Sequence, residues 1–534
     1  MKQTAASVIL EEIKSGKLST PLELNRFRLK VSRDFSLSSL PSNAEIISLA
    51  SAVDRKKFRG LLSIKPTRRS SGVTVVAVMT KPAECVGKCI FCPSSLVPGK
   101  KTPKSYTGRE PSTMRSMMFN YNPYLVVQNR LEQYNAANNF SPKIELILQG
   151  GTFTAEPWTH QKYFVKRCYD AVLGFTSKNF SEAKKLLESS SRRVVGLTIE
   201  TRPDWCMEKE INRMLFLGAT RVELGVQVLD DEVYKKNVRG HLVNDVVEST
   251  SLLRDSAFKV CYHLMPGLYG STPEIDVNSF RQVFSDPKFR PDMVKIYPCL
   301  VIKGTPLYRL WEMGKFEPLS TQEAADMIVE LKKATPPYVR IMRIQRDIPS
   351  TLVDGGVKKT NLRQVVGEKM KEKGLKCRCI RCREAGLNAL RGNFSLSEPQ
   401  LCRLDYEAAN GTEVFLSFED KKNDLLYAFC RFRVPHAPFR KEITTKTGLV
   451  RELHVYSTAL ALGESPGESD FQHKGLGSAL VKEAERIAVE EFGLEKMVII
   501  SGIGVREFYQ KKLGYKPDGP YMSRNLKKPA LHMK

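Results

Sequence analysis

The sequence predicts an α/β protein in which an incomplete parallel β/α barrel is followed by a second, separate α/β domain. After Gly72, apolar runs of strand length alternate with longer helical stretches, which is the pattern of parallel strands covered on both faces. A second set of alternating strands begins near residue 396. A small basic helical domain before residue 73 and a metal-bearing linker between the two α/β parts complete the predicted architecture.

The composition is that of a globular chain, with 534 residues, 42% hydrophobic and 27% charged. It excludes disorder, collagen and a small disulfide scaffold. The formal net charge of +26 favours a polyanionic partner such as a nucleic acid. No apolar run is long enough to span a bilayer, and Glu11 and Glu12 interrupt the N-terminal apolar stretch, so we expect a cytoplasmic protein with no membrane contact. In that reducing compartment, clustered members of the 12 cysteines predict metal ligands.

Residues 1–72 predict short helices. Thr20-Pro21-Leu22-Glu23 and Ser42-Asn43-Ala44-Glu45 each combine an N-cap with a glutamate three residues later, which is typical of a helix start. This segment ends in the basic runs Arg55-Lys56-Lys57 and Arg68-Arg69. A merely solubilising surface is the alternative, but the clustering favours binding of nucleic-acid phosphates.

The sequence predicts that residues 73–315 form the barrel. In this architecture the functional loops follow the carboxyl ends of the strands. Six apolar runs predict its strands, beginning at Val73, Ile144, Val194, Arg221, Lys259 and Met293.

Residues 316–395 predict a linker around a second cysteine group, Cys377, Cys379 and Cys382. Three thiolates favour structural zinc, which needs a fourth ligand, and Cys402 and Cys430 are the candidates. Three free thiols are the alternative.

Residues 396–534 predict the second α/β domain. Its strands begin near Thr412, Asp424, Leu449 and Lys496, and a helix runs from Gly475 to Glu491. At the start of that helix, the sequence Gln472-His-Lys-Gly475-Leu476-Gly477-Ser478 predicts an anion site, because consecutive backbone N–H groups at a helix N-terminus bind phosphate. A simple turn is the alternative for a lone Gly-x-Gly.

The first cysteine group, Cys85, Cys89 and Cys92, directly follows the first predicted strand. Three thiols without an obvious fourth suggest an iron–sulfur cluster with one open iron; a structural zinc loop is the alternative. The Cys-x3-Cys-x2-Cys spacing resembles that of the radical S-adenosylmethionine enzymes, whose open iron of a 4Fe-4S cluster chelates S-adenosylmethionine. That resemblance implies that Gly150-Gly151-Thr152, after the second strand, admits the methionyl part of the cofactor.

The Gln472 to Ser478 segment resembles the loop of the GNAT acetyltransferases that holds the pyrophosphate of coenzyme A. The resemblance implies acetyl-CoA as ligand and Tyr509 as the residue beside the thioester sulfur, where it could protonate the leaving thiolate. A packed core aromatic is the alternative for Tyr509. Pantetheine contacts are implied for the strand residues Glu452, Leu453, His454 and Val455.

The pairing of these two domains resembles the catalytic subunit of the Elongator family, through segments such as SYTGREPSTMR, LTIETRPDWC, MVKIYPCLVIKGTPLY and FQHKGLG. The cluster loop is shorter here than in many members, with the spacing usual in radical enzymes. The resemblance implies carboxymethylation of the wobble uridine of tRNA at C5, starting from acetyl-CoA.

The same resemblance implies that Lys143 contacts acetyl-CoA, although an exposed strand-start lysine is the alternative. It also implies the anticodon stem-loop as substrate, an electron donor and accessory subunits. The two domains are expected to face each other across one cleft. A protein lysine acetyltransferase with a structural barrel and a tRNA-binding scaffold with decayed sites are the rival functions.

Overall fold

A computed structural model describes residues 4–37, 40–62, 72–137, 140–389, 397–456 and 475–526. These residues form a helical N-terminal body, a seven-stranded parallel sheet and a second seven-stranded sheet. Within this part of the chain, every helix is too short or too polar to cross a lipid bilayer.

The N-terminal body consists of five helices around a small apolar core that includes Ile9, Ile13 and Ile46. The predicted cap pairs are present, since the side chains of Thr20 and Ser42 accept hydrogen bonds from the backbone N–H groups of Glu23 and Glu45. In return, the backbone N–H groups of Thr20 and Ser42 donate to the two carboxylates. These caps satisfy N–H groups that a helix start leaves open. The helices are α1 (Ala5–Lys14), α2 (Pro21–Asp34), α3 (Asn43–Leu49), α4 (Ala52–Lys57) and α5 (Arg59–Leu62).

The first sheet is a partial barrel in which the strands pair in chain order and every pair is parallel. The six predicted strands are present. The sheet also has a seventh strand, which lies within the segment predicted as linker. The strands are β1 (Thr74–Met79), β2 (Lys143–Gln149), β3 (Arg193–Thr201), β4 (Arg221–Gln227), β5 (Lys259–Leu264), β6 (Met293–Ile296) and β7 (Arg340–Ile344).

Helices cover the outer face of this sheet and bury its apolar side chains in one large core. They are α6 (Pro111–Met118), α7 (Pro123–Ala136), α8 (Trp158–Leu173), α9 (Phe180–Ser189), α10 (Glu208–Leu217), α11 (Asp231–Lys236), α12 (Val243–Asp255), α13 (Pro273–Ser285), α14 (Pro306–Glu312) and α15 (Thr321–Ala334). The linker then supplies α16 (Leu362–Glu372), α17 (Ile380–Arg383) and α18 (Ala385–Ala389).

The second sheet has the strand order β13-β14-β12-β11-β10-β9-β8. The four predicted strands and the predicted helix are present, and three further strands lie at the edges of the sheet. The elements are β8 (Gln400–Ala408), β9 (Gly411–Asp420), β10 (Leu425–Val434), β11 (Thr447–Val455), α19 (Leu476–Glu490), β12 (Lys496–Ile499), α20 (Arg506–Leu513), β13 (Lys516–Asp518) and β14 (Tyr521–Asn525).

The second domain docks on the amino-terminal end of the barrel strands. Arg451 of β11 donates to Asp292, just before β6, over 2.6 and 2.8 Å. Arg433 of β10 binds Asp255, at the end of α12, at 2.6 Å. The first cysteine loop follows β1 at the opposite, carboxyl end of the barrel. The two predicted sites therefore lie at the two ends of one barrel.

Candidate active site

A cavity of about 170 Å³ opens at the carboxyl ends of the barrel strands, and Cys85, Cys89 and Cys92 line it. All three thiols are half-buried. The predicted pair Gly150 and Gly151 lines the same cavity with Thr152. The fold thus brings the first cysteine group and the glycine motif together.

Positive charge surrounds the cysteine loop. Arg239 donates from Nη1 to Cys89 Sγ over 3.2 Å. The hydrogen bond from Cys92 and the charge of Arg239 lower the pKa of Cys89 to about 5, so this residue is a thiolate at neutral pH. Nη1 of Arg202 is buried without a partner among the described residues. The loop therefore offers a thiolate and free N–H donors, which suit a metal–sulfur group and an anionic ligand.

The spacing of these thiols fits a cluster better than a single ion. Within the described residues, the first cysteine group does not form a set whose sulfur atoms all lie within 4.8 Å of one another. A single zinc ion needs its ligands to converge at about 2.3 Å from one point, whereas each cysteine of an iron–sulfur cluster binds its own iron. The donor set fits the predicted cluster.

The glycine pair packs closely against its neighbours. Gly150 has φ +152°, and a Cβ there would lie 2.3 Å from Thr80 Oγ1. A Cβ on Gly151 would lie 3.8 Å from Cys85 Sγ. The chain thus requires glycine at position 150, and Gly151 brings the backbone close to the cysteine loop.

A group of charged side chains deeper in the same cavity was not predicted. His263 Nε2 lies 2.7 Å from Glu223, and Lys295 contacts Glu223 and lies 3.3 Å from Glu200. A metal ion could be held by Glu223, Cys261 and His263, whose ligand atoms lie close together. However, the Lys295 ammonium already neutralises the Glu223 carboxylate. The available signal was a charged residue or histidine within each apolar run from β2 to β6.

The charged group continues toward the amino-terminal end of the barrel. Arg221 pairs with Glu145 at 2.5 Å and with Glu223 at 3.3 Å. Five of the seven strands begin with a lysine or arginine; they are Lys143, Arg193, Arg221, Lys259 and Arg340. Three of these cations, Lys143, Lys259 and Arg340, act electrostatically on His454. We call these three residues the cationic mouth.

The second domain places a gap beside β11. This strand pairs with β12 only from Thr447 to Val450, and its register against β10 shifts by one residue at Arg451. Beyond that bulge, Glu452 to Val455 keep β10 on one side and, among the described residues, have no strand on the other. A strand edge with no neighbouring strand can bind an extended amide chain such as pantetheine.

The glycine motif of this domain begins α19. Gly475 is its N-cap with φ +77°, and Gly477 packs below Leu453 and Val455. Leu476 and Ser478 occupy the first turn. Gln472 lies outside the described residues. The described part of the motif is a helix N-terminus next to the gap, as an anion site requires.

Tyr509 is buried on α20, and its ring lies 5.2 Å from Phe508 and 6.2 Å from Tyr515. Burial raises the pKa of Tyr509, so the phenol keeps its proton at neutral pH. Its surroundings are compatible both with a proton donor and with the core aromatic considered above.

The linker thiols differ from the first group. The sulfur atoms of Cys377, Cys379 and Cys382 all lie within 4.8 Å of one another. Neither fourth-ligand candidate belongs to this set. Cys430 lies in the core of the second domain, and Cys402 bonds only the carbonyl of Gln400 among the described residues.

Known families match the chain in the order of its parts. The description "ELP3 N-terminal domain" matches residues 1–70 and "Radical SAM superfamily" matches 81–280. "Radical_SAM C-terminal domain" matches 291–372, and "Acetyltransferase (GNAT) family" matches 395–515. Fold, site and family matches define a radical S-adenosylmethionine protein joined to a GNAT acetyltransferase domain.

Relatives match nearly the whole chain. The tRNA uridine(34) acetyltransferase of Methanocaldococcus infernus is 52% identical over 97% of this chain and 98% of its own length. Elongator complex protein 3 of Homo sapiens is 40% identical over 99% and 97%, respectively. A solved structure of the M. infernus Elp3 lacking residues 1–46 superposes with a TM-score of 0.77, at 50% identity, over 85% of this chain and 100% of that one. The chain belongs to the family of the tRNA uridine(34) acetyltransferases and Elongator complex protein 3.

Proposed function

We propose that this protein is a tRNA-modifying enzyme that forms a carboxymethyl group at C5 of the anticodon wobble uridine, with acetyl-CoA as the source of the two carbons. The observation that carries the proposal is the docking of a GNAT site on one mouth of a barrel whose other mouth carries a three-cysteine loop. Ion pairs of Arg221 with Glu145 and Glu223 lie between the two sites.

Cys85, Cys89 and Cys92 would hold a 4Fe-4S cluster, and Gly150 to Thr152 would admit S-adenosylmethionine. With one electron from a donor, the bound cluster and S-adenosylmethionine would supply the radical chemistry that takes a hydrogen atom from the acetyl methyl group. Arg202 and Arg239 add positive charge that stabilises the thiolates.

The GNAT residues hold acetyl-CoA. The strand segment from Glu452 to Val455 would bond the pantetheine amides, and the loop from Gln472 to Ser478 would bond the pyrophosphate. Tyr509 would donate its proton to the leaving thiolate. Lys143, in the cationic mouth, would contact the acetyl end.

The tRNA would approach the carboxyl mouth. Lys104, Arg343 and Arg346 line that cavity and would bind phosphates near the flipped uridine. The substrate places the reaction in the cytoplasm, and relatives named as Elongator complex proteins make accessory subunits part of the proposal.

The linker would hold a structural zinc ion on Cys377, Cys379 and Cys382. Their sulfur atoms converge, and hydrogen bonds from Cys377 and Cys382 lower the pKa of Cys379 well below its usual value, as a zinc ligand requires. The fourth ligand would come from outside this set.

The test is an anaerobic incubation of reconstituted protein with reductant, S-adenosylmethionine, acetyl-CoA and a tRNA transcript, followed by mass spectrometry of the nucleosides. We expect carboxymethyluridine that requires both cofactors, that is lost in Cys89→Ser and that persists in the matched control Cys402→Ser. Acetylated lysines in proteins with no modified nucleoside would instead establish the rival protein acetyltransferase.

A further inference from the structure

His263 and Tyr297 point into the barrel at its carboxyl end. The chain neighbours of His263, Tyr262 and Leu264, belong to the core under the helices, so alternation directs His263 to the inner face of β5. Ile296, the last residue of β6, lies in the same core, and Tyr297 directly after it therefore also points inward. Both side chains line the cavity at the carboxyl mouth.

A hydrogen bond fixes the orientation of the His263 imidazole. Its Nε2 lies 2.7 Å from the Glu223 carboxylate, which also contacts the Lys295 ammonium. Burial would raise the pKa of Glu223, but the charge of Lys295 holds it below its usual value. The carboxylate can therefore only accept, and Nε2 carries the proton. In the neutral imidazole Nδ1 is then an acceptor, and among the described residues it makes no hydrogen bond.

The phenol of Tyr297 lies beside this imidazole. The two ring centroids are 5.4 Å apart and the ring planes meet at 84°, an edge-to-face contact that orients both rings. Burial raises the pKa of Tyr297, so the hydroxyl keeps its proton at neutral pH and can donate it in a hydrogen bond. This hydroxyl, too, has no hydrogen-bond partner in the described part of the chain. The pair thus offers the cavity one acceptor and one donor.

The pair lies beside the arginines proposed to bind tRNA phosphates. Arg343 of β7 is in register with Lys295 of β6, and Arg343 and Arg346 line the same cavity. A nucleotide held by these arginines brings its base next to Tyr297. Gly150, in contrast, follows β2, which is three positions from β5 in the strand order, or about 14 Å along the sheet. The pair is therefore separate from the glycine motif assigned to S-adenosylmethionine.

Uracil and cytosine differ at the edge that such a pair of side chains would contact. Uracil has an N3–H donor between two carbonyl acceptors, whereas cytosine has a bare N3 beside an amino group. The bare Nδ1 of His263 would accept from the uracil N3–H but would meet only another acceptor in cytosine. Enzymes that act on a base take it out of its stack and bind this edge in a pocket.

We propose that His263 and Tyr297 select uracil at the carboxyl mouth. Nδ1 of His263 accepts the N3–H of the flipped wobble uridine, and the Tyr297 hydroxyl donates to a ring carbonyl beside N3. Glu223 is the positioning residue, because its hydrogen bond with Nε2 keeps Nδ1 free of a proton. This inference rests on the proposed function and names the residues that determine its base specificity.

The experiment compares three anticodon stem-loops that differ only at the wobble position, which carries uridine, cytidine or N3-methyluridine. The full-length wild type is tested beside Tyr297→Phe, which removes one hydroxyl, and His263→Phe, which keeps a ring and removes both nitrogens. Tyr163→Phe, at an exposed tyrosine of α8, is the matched control. The readouts are kcat/KM for nucleoside modification, stem-loop affinity without the other substrates, S-adenosylmethionine binding and thermal melting.

We expect the wild type to modify uridine at least 100-fold faster than cytidine or N3-methyluridine. Tyr297→Phe should lower kcat/KM for uridine about tenfold, as the loss of one buried hydrogen bond does, with melting and S-adenosylmethionine binding unchanged. In His263→Phe, the preference for uridine over N3-methyluridine should fall at least tenfold, because no acceptor remains for N3–H. Tyr163→Phe should match the wild type.

Values of kcat/KM for uridine within twofold of the wild type in both variants would overturn the assignment. An unchanged preference for uridine over N3-methyluridine in His263→Phe would do the same. A loss of activity with equally weaker S-adenosylmethionine binding would place the two side chains in the cofactor site instead.

The stem-loop affinities separate this inference from the proposed function. A wild type that modifies no uridine would refute the proposed function. In that case, tighter binding of the uridine stem-loop than of the N3-methyluridine one, lost in His263→Phe, would still support the uracil pocket. Equal binding of the two stem-loops would overturn the pocket as well.

Discussion

Gly150 combines an unusual backbone conformation with a lack of space for a side chain. At φ +152° an alanine is strained by about 1–2 kcal/mol, and its Cβ would also clash with Thr80 Oγ1. Gly174 shares a positive φ, +90°, but has nothing within 4 Å of the same position. A comparison of alanine substitutions at the two glycines therefore separates the cost of conformational strain from the cost of a steric clash.

We expect Gly150→Ala to lower the free energy of unfolding more than Gly174→Ala, and to lower S-adenosylmethionine binding at least tenfold. Urea denaturation and calorimetric titration measure the two effects. Equal destabilisation by both substitutions, with binding intact, would show that the space at Gly150 is not needed.

Asp276 gives the fold a pH dependence opposite to that of most carboxylates. Its side chain is buried, and burial raises its pKa to about 6, against hydrogen bonds from Gly267 and Ser271. In the unfolded chain the pKa of this carboxyl is near 4. Because the folded protein binds the proton more tightly than the unfolded chain does, the free energy of unfolding falls progressively as pH rises from about 4 to about 6.

We compare the free energy of unfolding of Asp276→Asn with that of the wild type. We expect the difference to shift in favour of the variant by about 3 kcal/mol between pH 4 and pH 7. Urea denaturation at several pH values measures the difference. The exposed Asp34→Asn serves as control, and a stability difference that does not vary with pH would contradict the argument.

At the scale of elements, the thiol group of the linker lies at the start of α17. Cys379 is the N-cap of α17, and the next residue, Ile380, donates its N–H to the Val339 carbonyl just before β7. A metal held here would fix α17 against the last barrel strand.

We expect one zinc per chain in the wild type, lost in Cys379→Ser together with a lower melting temperature. Cys402→Ser should keep its zinc, because Cys402 lies outside the thiol set. Elemental analysis decides this, and zinc-free wild-type protein of full stability would refute the zinc proposal.

Sequence pattern predicted the barrel and GNAT elements whose apolar runs are continuous, and it missed β7, β8, β13 and β14. The run RIMRI of β7 is interrupted by Arg340, which bonds Tyr456 at the interface, and by Arg343, which lines the cavity. Strand β8 is an edge strand with mostly exposed side chains. Site motifs within one loop were predictable. The group of Glu223, His263 and Lys295 was not, since three strands must pair before these residues meet.

At the scale of the whole molecule, a buried charge network holds the two catalytic domains together. Arg451 is fully buried and bonds Asp292, Glu413 and the Phe258 carbonyl. Removing one partner from such a network leaves uncompensated buried charge, which costs about 3–5 kcal/mol.

We expect Arg451→Met to destabilise the protein by that amount and to expose the domain junction to limited proteolysis at pH 7. Arg486→Met, which removes an exposed arginine paired with Glu483 and Glu490, should cost at most about 1 kcal/mol. Equal melting temperatures of the two variants would contradict this.

The basic surface is also a property of the whole molecule. Of the predicted run, Arg55 bonds the Ala50 carbonyl over 2.9 Å and so helps to end α3, whereas Lys57 is exposed, as are Lys100 and Lys101. Arg68 and Arg69 lie outside the described residues.

We expect charge reversal at Lys57, Lys100 and Lys101 to weaken tRNA binding and to reduce its salt dependence, with iron content unchanged. Lys511→Glu, on the GNAT surface, is the matched control. A variant whose tRNA affinity equals that of the wild type at every salt concentration would show that these lysines do not contact phosphate.

Under the proposed function, the placement of the two sites at opposite mouths of one barrel has a kinetic consequence. Ligands that enter from opposite ends would not obstruct each other's path, so the nucleic acid and the thioester would load in either order. Coenzyme A would then depart through the amino-terminal mouth while the modified nucleotide still occupies the other end, and turnover would not require the larger substrate to dissociate first.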